Sequence, residues 1–179
     1  SVVESFCPRV EVVRPGLCAV PARGPARYFG GEQALADLVR EAVTARGFEC
    51  AIGIADGVFA AVLAARVQPA GTVVPPGEAA RFLASHPLSA LSVVRVIPDE
   101  LELVGLLHRL GIRTLGEFAA LPAGDVLTRF GVDATVAHRL AGGRVPRPPA
   151  TRAPGEDLAA VMKLDPPIEQ SEPVVFAAK

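Results

Sequence analysis

The chain has 179 residues, of which 50% are apolar and 21% charged, and its formal net charge is −1. That length allows one sizeable core or two small domains. The balanced charge excludes a protein that binds nucleic acid through a general basic excess, and no apolar run reaches the length of a membrane span, so we expect a soluble, cytoplasmic protein.

The first half of the chain predicts a small sheet with helices. Pro15-Gly16 separates two short apolar segments and is typical of a hairpin turn. A helical apolar pattern that begins at Glu32 stops at Gly47, a common C-terminal residue of helices. In chain order the patterns predict a hairpin over 9–20, a loop over 22–31, a helix over 32–46, a strand over 48–54, a helix over 57–66, a strand over 72–74 and a short helix opened by residues 75 and 76. This order indicates an α+β fold with helices on one face of a small sheet.

The second half predicts helices joined by short turns. An apolar stripe over 101–110 has helical spacing and ends at Gly111. Thr114 followed three residues later by Glu117 predicts a reciprocal cap that starts a second helix. Pro122 then begins a helix that closes at Gly131, and one more helix follows. A pair of helices that simply packs in a core is one reading of this hairpin.

We expect three parts in the chain. Residues 1–90 would form the sheet domain, residues 91–147 the helical domain, and residues 148–179 a proline-rich linker towards a further domain. The chain begins without Met and ends on a strand-like sequence, which suggests a fragment of a larger protein.

Two motifs resemble those of Y-family translesion DNA polymerases. The stretch LGIRTLGEFAALP, at 110–122, is similar to the helix-hairpin-helix thumb of that family, and VEVVRPGLCAVPARG, at 10–24, is similar to its palm hairpin. The resemblance implies a polymerase palm-like sheet with helices on one face, followed by an all-α helix-hairpin-helix thumb.

The palm motifs depart from the family at the positions that carry its chemistry. Gly16 and Leu17 stand where the family has the Asp and Glu that hold catalytic magnesium. Val58 and Val62 stand where it has lysines, the first of which contacts the nucleotide triphosphate. We therefore expect no catalytic residues, no nucleotide-binding residues, no metal and no cofactor.

In the thumb, the resemblance implies contact between a glycine-containing turn and the DNA backbone. The first turn of the family is acidic here, at residues 98–101. The second is kept, so possible DNA contacts are Arg109, Gly111, Ile112, Arg113 and Thr114. Six acidic and six basic residues balance over 98–147, so ordinary solvated arginines are an equal alternative.

The combination resembles the ImuB type of non-catalytic Y-family homologue. It implies an adapter in damage-induced mutagenesis whose partners are an error-prone C-family DNA polymerase, the sliding clamp and a RecA-like accessory protein, with weak or indirect DNA contact, no membrane contact and a location at bacterial replication sites. A clamp-binding peptide is not evident in residues 170–176. The alternatives are a fragment of an active nucleotidyltransferase that recruits carboxylates from elsewhere, and an independent DNA-binding hairpin.

The other chemically active residues suggest no site. The three histidines lie on separate elements without ligand spacing, and the three cysteines are expected to be buried thiols. The single tyrosine, Tyr28, is expected to anchor in the core rather than to stack on a ligand.

Overall fold

The computed structural model describes residues 3–7, 9–94, 97–144 and 158–165, with the backbone alone for residue 4 and for 158–165. The fold is mixed α and β, and it forms two compact units. The sheet unit comprises Ser1–Pro75 with Gly155–Lys179, and the helical unit comprises Pro76–Pro154. Within the described residues, no helix is long and apolar enough to cross a membrane.

The sheet unit is built on four antiparallel strands in the order β1-β2-β4-β3. Their bounds are β1 Glu11–Arg14, β2 Leu17–Pro21, β3 Glu49–Asp56 and β4 Leu158–Asp165. The predicted turn at Pro15-Gly16 joins β1 to β2, and Gly16 has the positive φ of 77° that favours glycine at the third position of a type II turn.

Three helices belong to this unit, α1 Arg23–Phe29, α2 Glu32–Thr44 and α3 Val58–Ala65. The inner face of α2 contributes Leu35 and Val39 to a core shared with Val20 and Ile54. Helix α3 is buried at every residue from Phe59 onward, which is the burial expected for a helix that is apolar all round. It packs closely on β3 because Gly53 has no side chain, and a Cβ there would lie 2.2 Å from backbone atoms of α3.

The helical unit contains α4 Ala79–Ala84, a 3₁₀ helix at Leu88–Val93, α5 Glu100–Arg109, α6 Leu115–Ala119 and α7 Ala123–Ala141. Helix α7 is broken at Gly131, whose φ of 83° is not helical, so the predicted stop at this glycine is confirmed. Helix α6 packs against α4 and α7. Its largest buried side chain, Phe118, contacts the ring of His138 edge to face.

Four predictions differ from the structure. The segment 22–31, expected to be a loop, contains helix α1. The strand expected over 72–74 is a single bridge between Val73 and Ile54. Helix α4, expected in the sheet domain, belongs to the helical unit, because it packs against α6 and α7 there. Residues 158–165, expected to lie in a linker, form β4 between β2 and β3, since its backbone satisfies the facing edges of both strands. The assignment of the two units as palm and thumb stays a prediction.

Candidate functional site

The hairpin turn of the sheet unit carries no carboxylate. Gly16 supplies none, and the side chain of Leu17 points inward, with 4% of its surface exposed. Glu11 is the only acidic residue of β1 and β2, and it lies at the start of β1, away from the turn. The residue that precedes the turn is the exposed Arg14. Oxygen ligands for magnesium are therefore missing at these two positions, and the nearest charge is positive.

The two valines of the nucleotide motif lie on α3 in different environments. Val58 is the first residue of the helix and is half-buried, whereas Val62 is 1% exposed. A charged side chain at position 62 would have to be accommodated inside the core. The side chain at position 62 therefore cannot reach a phosphate in solution.

Two carboxylates approach each other beside α3. Burial raises the pKa of Glu32, and the charge of Asp56, the last residue of β3, raises it further. Two like charges would need a third ligand to form a metal site, and the described residues contain no group of three or more His, Cys, Asp or Glu side chains that could hold an ion.

Histidine side chains are used in packing. His138 makes a hydrogen bond of 2.9 Å through Nε2 with the carbonyl oxygen of Leu121, and His86 makes one of 3.0 Å through Nδ1 with the carbonyl oxygen of Phe82. Both carbonyls lie close to helix ends, where backbone oxygens lack partners within the helix. These two rings therefore help to connect elements of the helical unit.

The helical hairpin has the predicted cap. Thr114 Oγ1 accepts the N–H of Glu117 at 3.2 Å, and the Glu117 carboxylate accepts the N–H groups of Thr114 at 3.1 Å and of Arg113. These two backbone donors lower the pKa of Glu117. The turn before the cap contains Gly111 at a φ of 84°, so the chain reverses as the sequence indicates.

All backbone N–H groups from residue 110 to residue 115 are already bonded inside the protein. Those of 110, 111 and 112 donate to carbonyls of α5, those of 113 and 114 donate to Glu117, and that of Leu115 donates to the carbonyl of His86. A phosphate can therefore be bound at this turn only through side chains. Arg109 and Arg113 are exposed and lie on either side of Gly111.

Two exposed features of the structure have surroundings that the sequence did not indicate. Gly131 interrupts α7 at an exposed position and is followed by Val132, whose side chain is 69% exposed. Tyr28, expected in the core, is 84% exposed, so that expectation is wrong. The exposure of Tyr28 depends on how α1 packs against the rest of the sheet unit, and neither the spacing nor the composition of the sequence predicts that packing.

Comparison with known proteins places these features in a family. The chain is 35% identical over 150 residues to DNA polymerase IV of Dehalococcoides mccartyi, which covers 82% of this chain and 37% of that protein. It is 33% identical over 132 residues to protein ImuB of Caulobacter vibrioides, and this match covers 73% of this chain and 27% of that protein. The chain is an ImuB-like homologue of the Y-family DNA polymerases.

A third relative also has the name DNA polymerase IV. DNA polymerase IV of Methanoculleus marisnigri is 34% identical over 121 residues, which are 66% of this chain and 32% of that protein. The matched part of the chain therefore spans 27% to 37% of the length of these relatives. No family model matches the chain, and no solved structure matches it.

Proposed function

We propose that this Y-family homologue is a non-catalytic adapter in translesion synthesis, and that its sheet unit is a palm without polymerase chemistry. The observation that carries the proposal is the hairpin turn, which has Gly16 and the buried Leu17 where the resemblance expects two metal-binding carboxylates. Transfer of a nucleotide by two metal ions needs hard oxygen ligands that converge at this turn.

A second position supports the same conclusion independently. Val58 stands where the resemblance expects the lysine that contacts the triphosphate, and an apolar side chain offers no charged donor to a phosphate. Val62, at the position of the second lysine, is 1% exposed and cannot take over that contact. Loss of the metal ligands and of the triphosphate contact together favours an adapter over the alternative of an active nucleotidyltransferase that takes its carboxylates from elsewhere.

The experiment is primer extension by the intact protein on undamaged and lesion-bearing templates, with magnesium and then with manganese, beside an active Y-family polymerase. We expect no incorporation above a heat-inactivated sample. Incorporation by the folded protein would mean that metal ligands lie outside the positions considered, and the non-catalytic part of the proposal would be wrong.

The adapter role is tested by association. The resemblance to ImuB-type proteins implies an error-prone C-family polymerase, the sliding clamp and a RecA-like accessory protein as partners. Size-exclusion chromatography of the intact protein with each purified partner should yield a co-eluting complex. Failure to associate with any of the three would refute the adapter role even if the protein were inactive as a polymerase.

The helical hairpin suggests a weak DNA contact as a second function. Because the backbone N–H groups of the turn are engaged, the contact would be made by the guanidinium groups of Arg109 and Arg113. Each phosphate contact contributes about −0.9 to the slope of log affinity against log salt on duplex DNA. The double variant R109Q/R113Q should therefore flatten the slope by about 1.8, whereas R129Q, an exposed arginine on α7, should not change it.

A further inference from the structure

Tyr28 is an exposed aromatic side chain whose ring packs against the ring of Phe29. Its ring is 84% exposed and meets the ring of Phe29 edge to face, with centroids 4.8 Å apart and an interplanar angle of 88°. Phe29 is half-buried and in turn contacts Phe6, with centroids 5.5 Å apart. An edge-to-face contact covers at most one face of a ring, so at least one face of Tyr28 is open to solvent.

The surface around Tyr28 is basic and uncrowded. Arg23 and Arg27 are exposed on the same short helix, α1, and within the described part of the chain neither forms an ion pair. Gly24 precedes Tyr28 by one helical turn. Apart from its chain neighbours and the backbone of its own helix, nothing lies within 4 Å of the place where a Cβ of Gly24 would be, so this part of α1 is uncrowded.

Negative charge is absent from this helix. No acidic residue occurs between Arg23 and Gly31, and the next one along the chain, Glu32, is half-buried beside Asp56. The net charge of the whole chain is −1, so a basic segment of this kind is local. The only charged side chains of α1 itself are those of Arg23 and Arg27, and both are positive.

We propose that α1 binds single-stranded nucleic acid, with one base stacked on Tyr28 and neighbouring phosphates held by Arg23 and Arg27. Aromatic rings beside basic side chains are the usual means of binding single strands without sequence preference, because every base has a π face and every nucleotide a phosphate. A duplex fits less well because its base faces are covered by neighbouring bases. The proposal does not depend on the adapter role or on the helical hairpin.

The test uses the intact chain and fluorescein-labelled oligothymidylate, oligouridylate and a blunt duplex of equal length, with affinity measured by fluorescence anisotropy at low salt. Base stacking on an aromatic residue contributes about 1 to 3 kcal/mol, so Tyr28→Ala should raise the Kd for the single strands by roughly 5- to 150-fold. Tyr28→Phe retains the ring and should stay within about twofold. Comparison of the two single strands decides whether DNA or RNA is preferred.

Charge is tested separately from stacking. The double variant R23Q/R27Q should flatten the salt slope for single strands by about 1.4, at about 0.7 for each phosphate contact. Arg46→Gln, a change at another exposed arginine of the sheet unit, is the matched control and should leave the slope unchanged. If R23Q/R27Q and Arg46→Gln flattened the salt slope equally, binding would depend on the overall charge of the surface rather than on α1, and the proposal would be wrong.

The chain provides its own probe of stacking, since it contains one tyrosine and no tryptophan. Unlabelled oligothymidylate should quench the tyrosine emission of the wild-type chain at the concentration at which anisotropy reports binding. Unchanged emission at saturation, unchanged affinity of Tyr28→Ala, duplex binding as tight as single-strand binding, or no binding at all would each overturn the proposal.

Discussion

Replacing Val62 by lysine would restore the residue type that the Y-family motif has at this position, and the structure predicts a large loss of stability. Val62 is 1% exposed within a helix that is buried from Phe59 to Ala65. An ammonium group in that interior has its pKa lowered by about 3 to 5 units. One pKa unit corresponds to about 1.4 kcal/mol in the free energy of unfolding. Because the buried lysine can lose its proton at pH 7, the loss of stability that is due to its charge is limited to roughly 4 kcal/mol at that pH.

The sign of the pH dependence identifies the cause. Because folding lowers the pKa of the introduced lysine, the unfolded chain binds more protons, and the stability of V62K rises with pH relative to wild type. The penalty of about 4 kcal/mol at pH 7 should fall below about 1 kcal/mol near pH 10, as the unfolded-state lysine also loses its proton. Urea denaturation followed by far-UV circular dichroism at both pH values measures the difference.

Val58→Lys is the control for this prediction. Val58 is half-buried at the start of α3, so a lysine there can reach water. It should cost about 1 kcal/mol or less, with little change between the two pH values. If V62K were as stable as wild type at pH 7, or lost equal stability at pH 7 and pH 10, position 62 would reach solvent and the assignment of Val62 to the buried core would be wrong.

Three further predictions concern stability and thiol reactivity. Thr114→Ala removes one side of the cap of α6 and should lower stability by about 1 kcal/mol in thermal denaturation. On the other side of the cap, backbone N–H groups lower the pKa of Glu117. The stability advantage of wild type over E117Q should therefore be present above the unfolded carboxyl pKa of about 4.3 and disappear on further acidification. Gly53→Ala places a Cβ 2.2 Å from the backbone of α3 and should cost roughly 3 kcal/mol, whereas Gly24→Ala, in open space, should be neutral or stabilising, as a pair of urea curves would show. Burial raises the pKa of Cys7 to about 11, so this thiol should react with Ellman's reagent at pH 8 only after unfolding, and fast labelling in the native state would contradict its burial.

Local sequence patterns were sufficient for most individual elements. The helical hairpin is the clearest case, since the stripe of α5, the stop at Gly111 and the cap between Thr114 and Glu117 all depend on residues a few positions apart. The turn at Pro15-Gly16 and the break at Gly131 follow in the same way from the conformational preferences of single residues. The departures at Gly16 and Val62 could likewise be read from the motifs alone.

Features that depend on distant parts of the chain could not be predicted. Helix α4 belongs with the helical unit, and β4 joins the sheet unit from more than a hundred residues beyond β3, because both find their partners through packing and pairing. The carbonyl of His86, which accepts the N–H of Leu115, lies far from it in sequence and no spacing rule indicates this bond, whereas the bond from the Thr114 N–H to Glu117 belongs to the predicted cap.

The sequence by itself determined most of the element types, the turn residues and the residue types at the motif positions, since these depend on short-range periodicity, capping and residue identity. The tertiary structure alone decided which of those positions face the core and which face solvent. Val62 and Tyr28 show this most clearly, because an apolar helix becomes buried and a tyrosine remains exposed only through the surfaces that pack around them.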